Sequence, residues 1–252
     1  MASELRDSIR EWWNEDAAVY DRSPSHAVSD PLEAATWRAA LARLLPPAGG
    51  KVLDVGAGTG AMSLLAAELG YRVTALDLSS AMLARAREKA EARGLDLALV
   101  EGSAEEPPAG PFDAVVERHL LWTTIDPVAV LRAWRDVTAA AGRLVLFEGS
   151  WGGGDVLDRI RRVAAEWFHK AAGHGPDHHA PYSPDVLERL PLARRSSPQS
   201  LLEAVEAAGW TRTRIERLRD VEWARMVAAG RILGALEHRP QFAVAAENPS
   251  EP

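Results

Sequence analysis

A short apolar strand that runs directly into a glycine-rich turn constrains this chain more than any other feature. In the stretch VLDVGAGTGA, Gly56, Gly58 and Ala61 satisfy the G-x-G-x-x-G/A pattern that is typical of dinucleotide sites. Asp54 and Gly60 extend the same stretch to D-x-G-x-G-x-G, which suits a different cofactor. Glycine is needed where backbone approaches a ligand closely or adopts positive φ. The turn therefore predicts a cofactor site and leaves two cofactors open.

Short apolar strands and helices alternate around this turn. Strands are predicted at about 51–56, 72–78, 96–102, 112–118, 143–149, 211–219 and 242–247. Helices are predicted at 31–45, from about Thr59 to Leu69, from Ser79 or Ser80 to near Gly94, from Asp126 to Gly142, and at 197–210, and the connection 220–240 is expected to be partly helical. Strands that are apolar on both faces and separated by helices are typical of a parallel sheet covered on both sides. The fold class is therefore α/β.

Two segments fall outside this alternation. Residues 1–45 precede the core and predict an N-terminal helical cover, whose last helix has Asp30 as its N-cap and Glu33 as the expected partner in a capping box. Residues 46–252 form the predicted core. Within it, 150–196 is a long insertion rich in Trp, His, Gly and Pro. Insertions of this length are often lids or binding loops, so a lid is expected here.

Composition excludes several functions. The 252 residues include no cysteine, so disulfides, thiolate nucleophiles and Cys-ligated metals are impossible. The formal charge of −7, with Lys and Arg scattered among Glu, disfavours nucleic acid as a partner. Neither a signal segment nor a membrane-spanning apolar run is evident. We expect a cytoplasmic monomer or homodimer that acts on a small molecule.

The carboxyl ends of the first four strands mark the expected site, because open parallel sheets bind ligands there, near the switch in strand order. Asp77 ends the second strand, where a carboxylate can accept hydrogen bonds from both ribose hydroxyls of either cofactor. Asp54 favours a nucleoside with an amino acid tail, since a carboxylate there can hold the ammonium group. The chain before the turn is long enough to cover such a cofactor.

Five segments, of which the glycine turn is the first, carry a resemblance to a known family. VLDVGAGTG, VTALDLSSAMLARAREKA, EGSAEEPP, FDAVVERHLLWTTIDP and AAAGRLVLFEG occur in this order. Together they resemble the class I S-adenosylmethionine-dependent methyltransferases of the small-molecule type. The resemblance implies a doubly wound, mostly parallel, seven-stranded Rossmann-like sheet with an antiparallel last strand. It also implies S-adenosylmethionine as cofactor and methyl transfer to an oxygen, nitrogen or carbon atom of a small, possibly aromatic molecule.

The resemblance also assigns residues to the cofactor site. The predicted cofactor-binding residues are Tyr20, Asp54, Gly56, Ala57, Gly58, Asp77, Leu78, Met82, Ser103, Ala104, Glu117 and Arg118. One departs from the family pattern, which often has Asp where this chain has Ser103. A neutral hydroxyl is a weaker acceptor than a carboxylate for the adenine amino group. Either Glu105 or the backbone is then expected to compensate.

The acceptor site is less constrained by the sequence. His119 follows strand four, Glu148 lies at the end of strand five, and the two are rival candidates for a general base. The predicted substrate-contacting residues are Trp13, Trp122, Trp151, His174 and Tyr182. The histidines of 169–179 have no zinc-type spacing, so no metal site is predicted. Two alternatives to methyl transfer stay open: an NAD(P)-dependent oxidoreductase and a noncatalytic nucleoside-binding module.

Overall fold

The computed structural model describes residues 2–149, 161, 163–165, 180, 182, 184–193 and 197–250. Its strands are β1 (Lys51–Val55), β2 (Arg72–Asp77), β3 (Ala98–Glu101), β4 (Phe112–Arg118), β5 (Thr138–Gly149), β6 (Thr211–Arg217) and β7 (Gln241–Glu247). Its helices are α1 (Ala2–Asp16), α2 (Pro24–Ala27), α3 (Pro31–Leu44), α4 (Ala61–Glu68), α5 (Ser80–Ala92), α6 (Pro127–Asp136), α7 (Pro184–Glu188), α8 (Pro198–Ala207), α9 (Arg219–Ala228) and α10 (Arg231–Glu237). Short 3₁₀ turns cover Tyr20–Arg22 and Leu121–Thr123.

The strands form one seven-stranded sheet in the order β3-β2-β1-β4-β5-β7-β6. The pairs from β3 through β5 are parallel, and β7 is antiparallel to both β5 and β6. The predicted fold class is confirmed, with one refinement: β7, the last strand of the chain, lies inside the sheet, and β6 forms the edge. The strand order reverses at β1, which places the glycine turn at the switch point.

Apolar side chains alternate between the two faces of the sheet and bury a core on each side. On one face, Trp37 of α3 packs in a cluster with Val52 and Val116. On the other face, Trp134 of α6 packs in a cluster with Leu53 and other strand residues. Both tryptophans are almost completely buried. Helices on both faces explain why the strands are apolar throughout.

The structure corrects the predicted extent of α6. This helix ends at Asp136, and β5 begins at Thr138, so the alanines of 139–141 belong to the strand. Alanine favours helix locally. Here Thr138 instead pairs with Phe112 of β4, and the backbone N–H of Asn248 donates to the Gly142 carbonyl at 2.8 Å. Tertiary hydrogen bonding therefore overrides local helix propensity.

The predicted capping box of α3 is half wrong. The Asp30 side chain accepts hydrogen bonds from the backbone N–H groups of Leu32 and Glu33, as expected of an N-cap. The Glu33 carboxylate, however, accepts a hydrogen bond from Trp37 Nε1 at 3.2 Å and lies 3.4 Å from Arg225 Nε. Glu33 is 2% exposed, so its side chain serves the packing of α3 on α9.

The N-terminal segment is fastened to the core by polar contacts from successive parts of its length. These contacts join Arg6 to Glu105, Asn14 Oδ1 to Ser79 Oγ (2.7 Å), Asp21 Oδ1 to Thr59 Oγ1 (2.7 Å), and Asp21 Oδ1 to Lys89 Nζ (3.1 Å). Thr59, Ser79 and Glu105 follow the carboxyl ends of β1, β2 and β3, and Lys89 lies on α5. The segment therefore covers the side of the sheet where ligands are expected. None of the described helices is both long and apolar enough to cross a membrane.

Candidate active site

Close approach of neighbouring elements explains two glycines of the turn. Gly56 has φ +66°, and a Cβ atom there would lie 2.8 Å from the Leu120 side chain. Gly60 has φ +84°, and its Cβ would lie 2.9 Å from Ala86 Cβ on α5. The helix α4 begins at Ala61, which is buried. The third glycine thus permits the packing of α4 on α5, and Ala61 is an early helix residue.

The Asp77 carboxylate is held at the end of β2 by the turn itself. Its Oδ2 accepts a hydrogen bond from the Gly58 N–H at 2.7 Å, and its Oδ1 accepts one from the Ser79 N–H at 2.8 Å. Burial raises the pKa of Asp77 to about 6, although these backbone hydrogen bonds oppose the rise. A fixed carboxylate therefore stands beside the glycine turn, as the sequence predicted.

A cleft of about 930 Å³ lies beyond the ends of β1, β2, β3 and β4. Its lining includes Trp13, Tyr20, Gly56, Gly58, Asp77, Leu78, Met82, Ser103, Ala104, Arg118 and His119 from the sequence prediction. Gly58 carries a positive φ, and only Tyr20 Cε1, at 3.9 Å, would meet a Cβ there. The open glycine, the carboxylate and the apolar walls fit S-adenosylmethionine.

Two predicted cofactor residues lie beside a smaller cavity of about 280 Å³. Asp54 and Ala57 line it together with Tyr20, Gly56 and Arg118, which also line the main cleft. The Asp54 Oδ2 atom accepts a hydrogen bond from Ser63 Oγ at 2.5 Å. Burial raises the pKa of Asp54 to about 6. The position agrees with a carboxylate that faces the charged tail of a cofactor.

Glu117 does not line either cavity. It is completely buried, and its Oε2 accepts hydrogen bonds from the backbone N–H groups of Leu120 and Leu121, at 2.8 and 3.4 Å. Burial, and next the charge of Glu148, raise the pKa of Glu117 well above its usual value. The carboxyl group therefore shapes the turn after β4, and the sequence-based expectation of direct cofactor contact has no support in this geometry.

His119 and Glu148, predicted as rival bases, are in contact. The Nδ1 atom of His119 lies 3.1 Å from Glu148 Oε2. His119 has φ +63°, a left-handed conformation that costs a non-glycine residue about 1–2 kcal/mol. Its imidazole lines the cleft with 18% of the side chain exposed, whereas the Glu148 side chain is 1% exposed. Burial, and next the charge of Arg118, lower the pKa of His119 well below 6.5.

Arg118 connects the cleft to the cover. Its Nη2 donates a hydrogen bond to the His26 carbonyl at 2.7 Å, and its guanidinium lies 5.7 Å from the centre of the Trp37 ring. The His26 ring stacks on Tyr20 at 4.2 Å. Arg118 therefore helps to place Tyr20 over the glycine turn.

Aromatic side chains from the N-terminal cover and from the 3₁₀ turn after β4 meet around Tyr182. Tyr182 stacks on Trp12 at 4.4 Å and meets Trp13 and Trp122 edge-to-face at 6.1 and 5.7 Å. Trp13 also meets Tyr20 edge-to-face at 5.8 Å. The structure thus brings three of the predicted substrate residues together. Trp151 and His174, the other two, lie outside the described residues.

Sequence reasoning missed Arg6 and Ile9, which line the cleft from α1. The available signal was their spacing of three residues, which places both on one face of a helix. Nothing in the sequence indicates that this face of α1 lies next to the end of β3. In the described parts of the chain, no group of three or more His, Asp or Glu side chains could hold a metal ion.

A parallel sheet with a glycine turn after β1 and a carboxylate after β2 defines a nucleoside-binding α/β domain of the Rossmann-like class. Residues 53–146 match the family model described as a methyltransferase domain. A ubiquinone biosynthesis O-methyltransferase of Xanthomonas axonopodis pv. citri (strain 306) is 35% identical over 139 residues, which are 54% of each protein. The match thus spans about half the length of this curated relative.

Two solved structures resemble the whole chain. One comes from work on the conversion of a disulfide bond into a thioacetal group during echinomycin biosynthesis. It is 26% identical, with a TM-score of 0.58, and the match covers 95% of this chain and 92% of that one. The other is a geranyl diphosphate methyltransferase in complex with GPP and sinefungin. It is 16% identical, with a TM-score of 0.60 and coverage of 97% and 99%, and supports the fold alone.

Residues 53–146 match a methyltransferase domain, and the comparisons together support a class I S-adenosylmethionine-dependent methyltransferase. S-adenosylmethionine is the cofactor of this family. The oxidoreductase alternative finds no support in these comparisons.

Proposed function

We propose that this chain transfers a methyl group from S-adenosylmethionine to a hydroxyl oxygen of a small aromatic molecule. One observation carries the proposal: the Asp77 carboxylate and the His119 imidazole line the same cleft. The cofactor site and the candidate base therefore share one space. The O-methyltransferase named among the relatives supports oxygen as the methylated atom, and the aromatic rings around Tyr182 suit a planar acceptor.

The bound cofactor supplies an electrophilic methyl carbon on a positively charged sulfur. Asp77 would hold the ribose hydroxyls, and Met82 of α5 would pack on the adenine ring. Tyr20, which covers the glycine turn, would exclude water together with Trp13. The Asp54 carboxylate would face the ammonium group of the methionine portion.

The histidine–glutamate pair removes the proton of the acceptor. Glu148 accepts the Nδ1–H of His119, which fixes the tautomer that carries a lone pair on Nε2. Nε2 would take the hydroxyl proton of the acceptor; the bound cofactor would supply the methyl group to the acceptor oxygen, and the electrons of the C–S bond would stay on its sulfur. The buried Glu148 charge stabilises the imidazolium that results. Because burial keeps the pKa of His119 low, the imidazole is neutral and ready to accept a proton at pH 7.

A small-molecule screen tests this function. Purified protein is incubated with S-adenosylmethionine and a panel of catechols and substituted phenols, and formation of S-adenosylhomocysteine is followed by mass spectrometry. Molecules that co-purify with the protein are identified in the same instrument and added to the panel. We expect turnover with a hydroxylated aromatic compound. Tight binding of NADH without binding of S-adenosylhomocysteine, measured by calorimetry, would contradict the proposal.

A further inference from the structure

The candidate base His119 has a backbone conformation that residues other than glycine rarely adopt. Its φ is +63°, in the left-handed region, and it comes directly after the end of β4 at Arg118. Backbone strain of this kind persists only where the surrounding structure fixes it, and it is concentrated at functional sites. The groups that fix this conformation therefore decide where the imidazole points.

The Glu117 carboxyl group closes the turn that contains His119. Its Oε2 atom accepts hydrogen bonds from the backbone N–H groups of Leu120 and Leu121, at 2.8 and 3.4 Å. The side chain two residues before His119 is thus joined to the backbone of the two residues after it, and His119 lies inside the resulting loop. Because Glu117 is completely buried, water does not compete for these hydrogen bonds.

Backbone and side-chain contacts anchor the loop on both sides of His119. The His119 N–H donates to the Phe147 carbonyl of β5 at 3.2 Å, where the paired part of β4 ends. The Leu120 carbonyl accepts hydrogen bonds from the N–H and the hydroxyl of Thr123, at 2.8 and 2.7 Å. Leu120 also packs so closely on Gly56 that a Cβ atom there would lie 2.8 Å from its side chain. Relaxation of the left-handed residue would disturb these contacts.

Glu117 and Glu148 are both buried, but they contact different groups. Glu148 Oε2 lies 3.1 Å from His119 Nδ1, whereas Glu117 accepts from backbone N–H groups. Burial, and next the charge of Glu148, raise the pKa of Glu117 well above its usual value. Glu117 therefore keeps its proton to higher pH than an ordinary glutamate, and its neutral form still has an oxygen that accepts from the turn. Glutamine, with one amide oxygen, closely resembles that form.

We propose that Glu117 is the positioning residue of the candidate base: its hydrogen bonds to the turn hold His119 in the left-handed conformation that directs the imidazole into the cleft and against Glu148. Glu117 lines neither cavity, so it acts through His119. The expected effect on turnover rests on the proposed function, whereas the position of the imidazole does not. Displacement of a reacting group by about 1 Å can lower a rate on the order of 100-fold.

Two substitutions separate the hydrogen bonds of Glu117 from its carboxyl chemistry. Glu117→Met fills a similar volume without the carboxyl oxygens, and we expect kcat to fall about 10- to 100-fold. Glu117→Gln keeps an acceptor for the turn and should restore kcat to within about threefold of the wild type. Asp30→Ala is the matched control, because Asp30 also accepts two backbone N–H groups, at the start of α3. It should lower stability and leave kcat unchanged.

The imidazole provides a readout that a loss of stability alone would not move. Long-range ¹H–¹⁵N spectra report the tautomer and the pKa of His119, whose signals are those missing from the spectrum of His119→Gln. In the wild type we expect the Nδ1–H tautomer and a pKa below 6.5. In Glu117→Met the imidazole leaves Glu148, so mixed tautomers and a pKa nearer 6.5 are expected, while Glu117→Gln should keep the wild-type signals. Glu117→Asp, one methylene shorter, is a milder variant that should show the same shifts at smaller size.

Unfolding measurements test the strain at His119 without any ligand. Glycine is unstrained at φ +63°, so His119→Gly should have an unfolding equilibrium constant about three- to tenfold smaller than that of His119→Ala. In the Glu117→Met background the turn is free to relax, and the same two variants should differ by less than about twofold. A difference that depends on a second substitution measures the interaction between the two positions.

Two results would overturn the inference. An unchanged tautomer and pKa of His119 in Glu117→Met would mean that the position of the imidazole does not depend on Glu117. An equal difference between His119→Gly and His119→Ala with and without Glu117 would mean that other contacts hold the turn. A wild-type protein that methylates no acceptor would contradict the proposed function alone, because the spectra and the unfolding measurements need no acceptor.

Discussion

The His119 imidazole and the Glu148 carboxylate lie 3.1 Å apart at the ends of neighbouring strands, with the imidazole in the cleft and the carboxylate behind it. Each residue alone is a candidate base. In the proposed mechanism their contact gives them different roles: the imidazole, which lines the cleft, is the base, and the buried carboxylate orients it and stabilises its charge.

Removal of the imidazole should abolish most turnover and leave the cofactor site intact. We expect His119→Ala to lower kcat by about 10²- to 10⁴-fold, since a positioned base contributes on this order. Affinity for S-adenosylhomocysteine should be unchanged. The double variant with Glu148→Gln should be little slower than His119→Ala alone, because residues that act as a unit are not additive.

The control is His238→Ala, at an exposed histidine that pairs with Glu222 at 3.8 Å. Single-turnover kinetics with the acceptor identified by the screen provides the measurement. Full activity in His119→Ala would mean that His119 is not the general base.

The pH dependence of turnover follows from the lowered pKa of His119. A base works in its neutral form, so a lowered pKa keeps it active to lower pH. We expect kcat to be constant from pH 8 down to 6.5 and to fall only below that value. Glu148→Gln removes the charge that stabilises the imidazolium and should shift the fall to still lower pH. A fall centred above pH 6.5 would contradict the assignment.

Cofactor affinity should depend on pH through Asp77. Burial raises the pKa of this carboxyl to about 6, so it is ionised at pH 7 and becomes protonated as the pH falls through 6. Only the ionised form accepts hydrogen bonds at both oxygens. Calorimetric affinity for S-adenosylhomocysteine should therefore be constant above pH 7 and weaken below 6. Asp77→Asn should bind weakly throughout and without this dependence.

The glycine turn permits a matched test of steric cost. Gly56→Ala places a methyl group 2.8 Å from Leu120 at positive φ, whereas Gly70→Ala has a positive φ with no atom within 4 Å. Gly70→Ala should cost only the left-handed strain of about 1–2 kcal/mol. Gly56→Ala should lose a further 1–3 kcal/mol or so because the core must shift. Chemical denaturation measures both free energies of unfolding, and equal losses would mean that Leu120 moves freely.

The contact of Asp21 with Thr59 and Lys89 should control how tightly the cover holds the cofactor. Partial burial lowers the pKa of Lys89, and Asp21 opposes that change, so Asp21→Asn removes the partner of a partly buried charge. We expect S-adenosylhomocysteine to dissociate about tenfold faster and amide exchange to quicken around Tyr20.

Stopped-flow fluorescence and hydrogen exchange make these two measurements. Asp7→Asn, on the exposed face of α1, is the control and should match the wild type. An unchanged dissociation rate in Asp21→Asn would mean that the contacts of Asp21 do not control cofactor retention.

The sequence by itself determined the α/β class, the glycine turn and the acid that follows the second strand. These features depend on local rules: apolar runs that must be buried on both faces, glycines that adopt positive φ without strain, and a carboxylate fixed to a strand end. The cap at Asp30 was likewise readable from neighbouring residues. The C-terminal end of α6 could not be predicted in this way. The alanines of 139–141 favour helix locally, and they join β5 because β4 and Asn248 provide partners in the folded structure.

Only the tertiary structure decided which distant side chains meet. His119 and Glu148 were separate candidates until the register of β4 and β5 brought them together. Arg6 and Glu105 are 99 positions apart, and their pairing depends on how α1 packs over the sheet. Such contacts arise from packing, which fixes distance and burial at once. Hydrophobic periodicity specifies which face of an element is buried but not which residue of another element it meets.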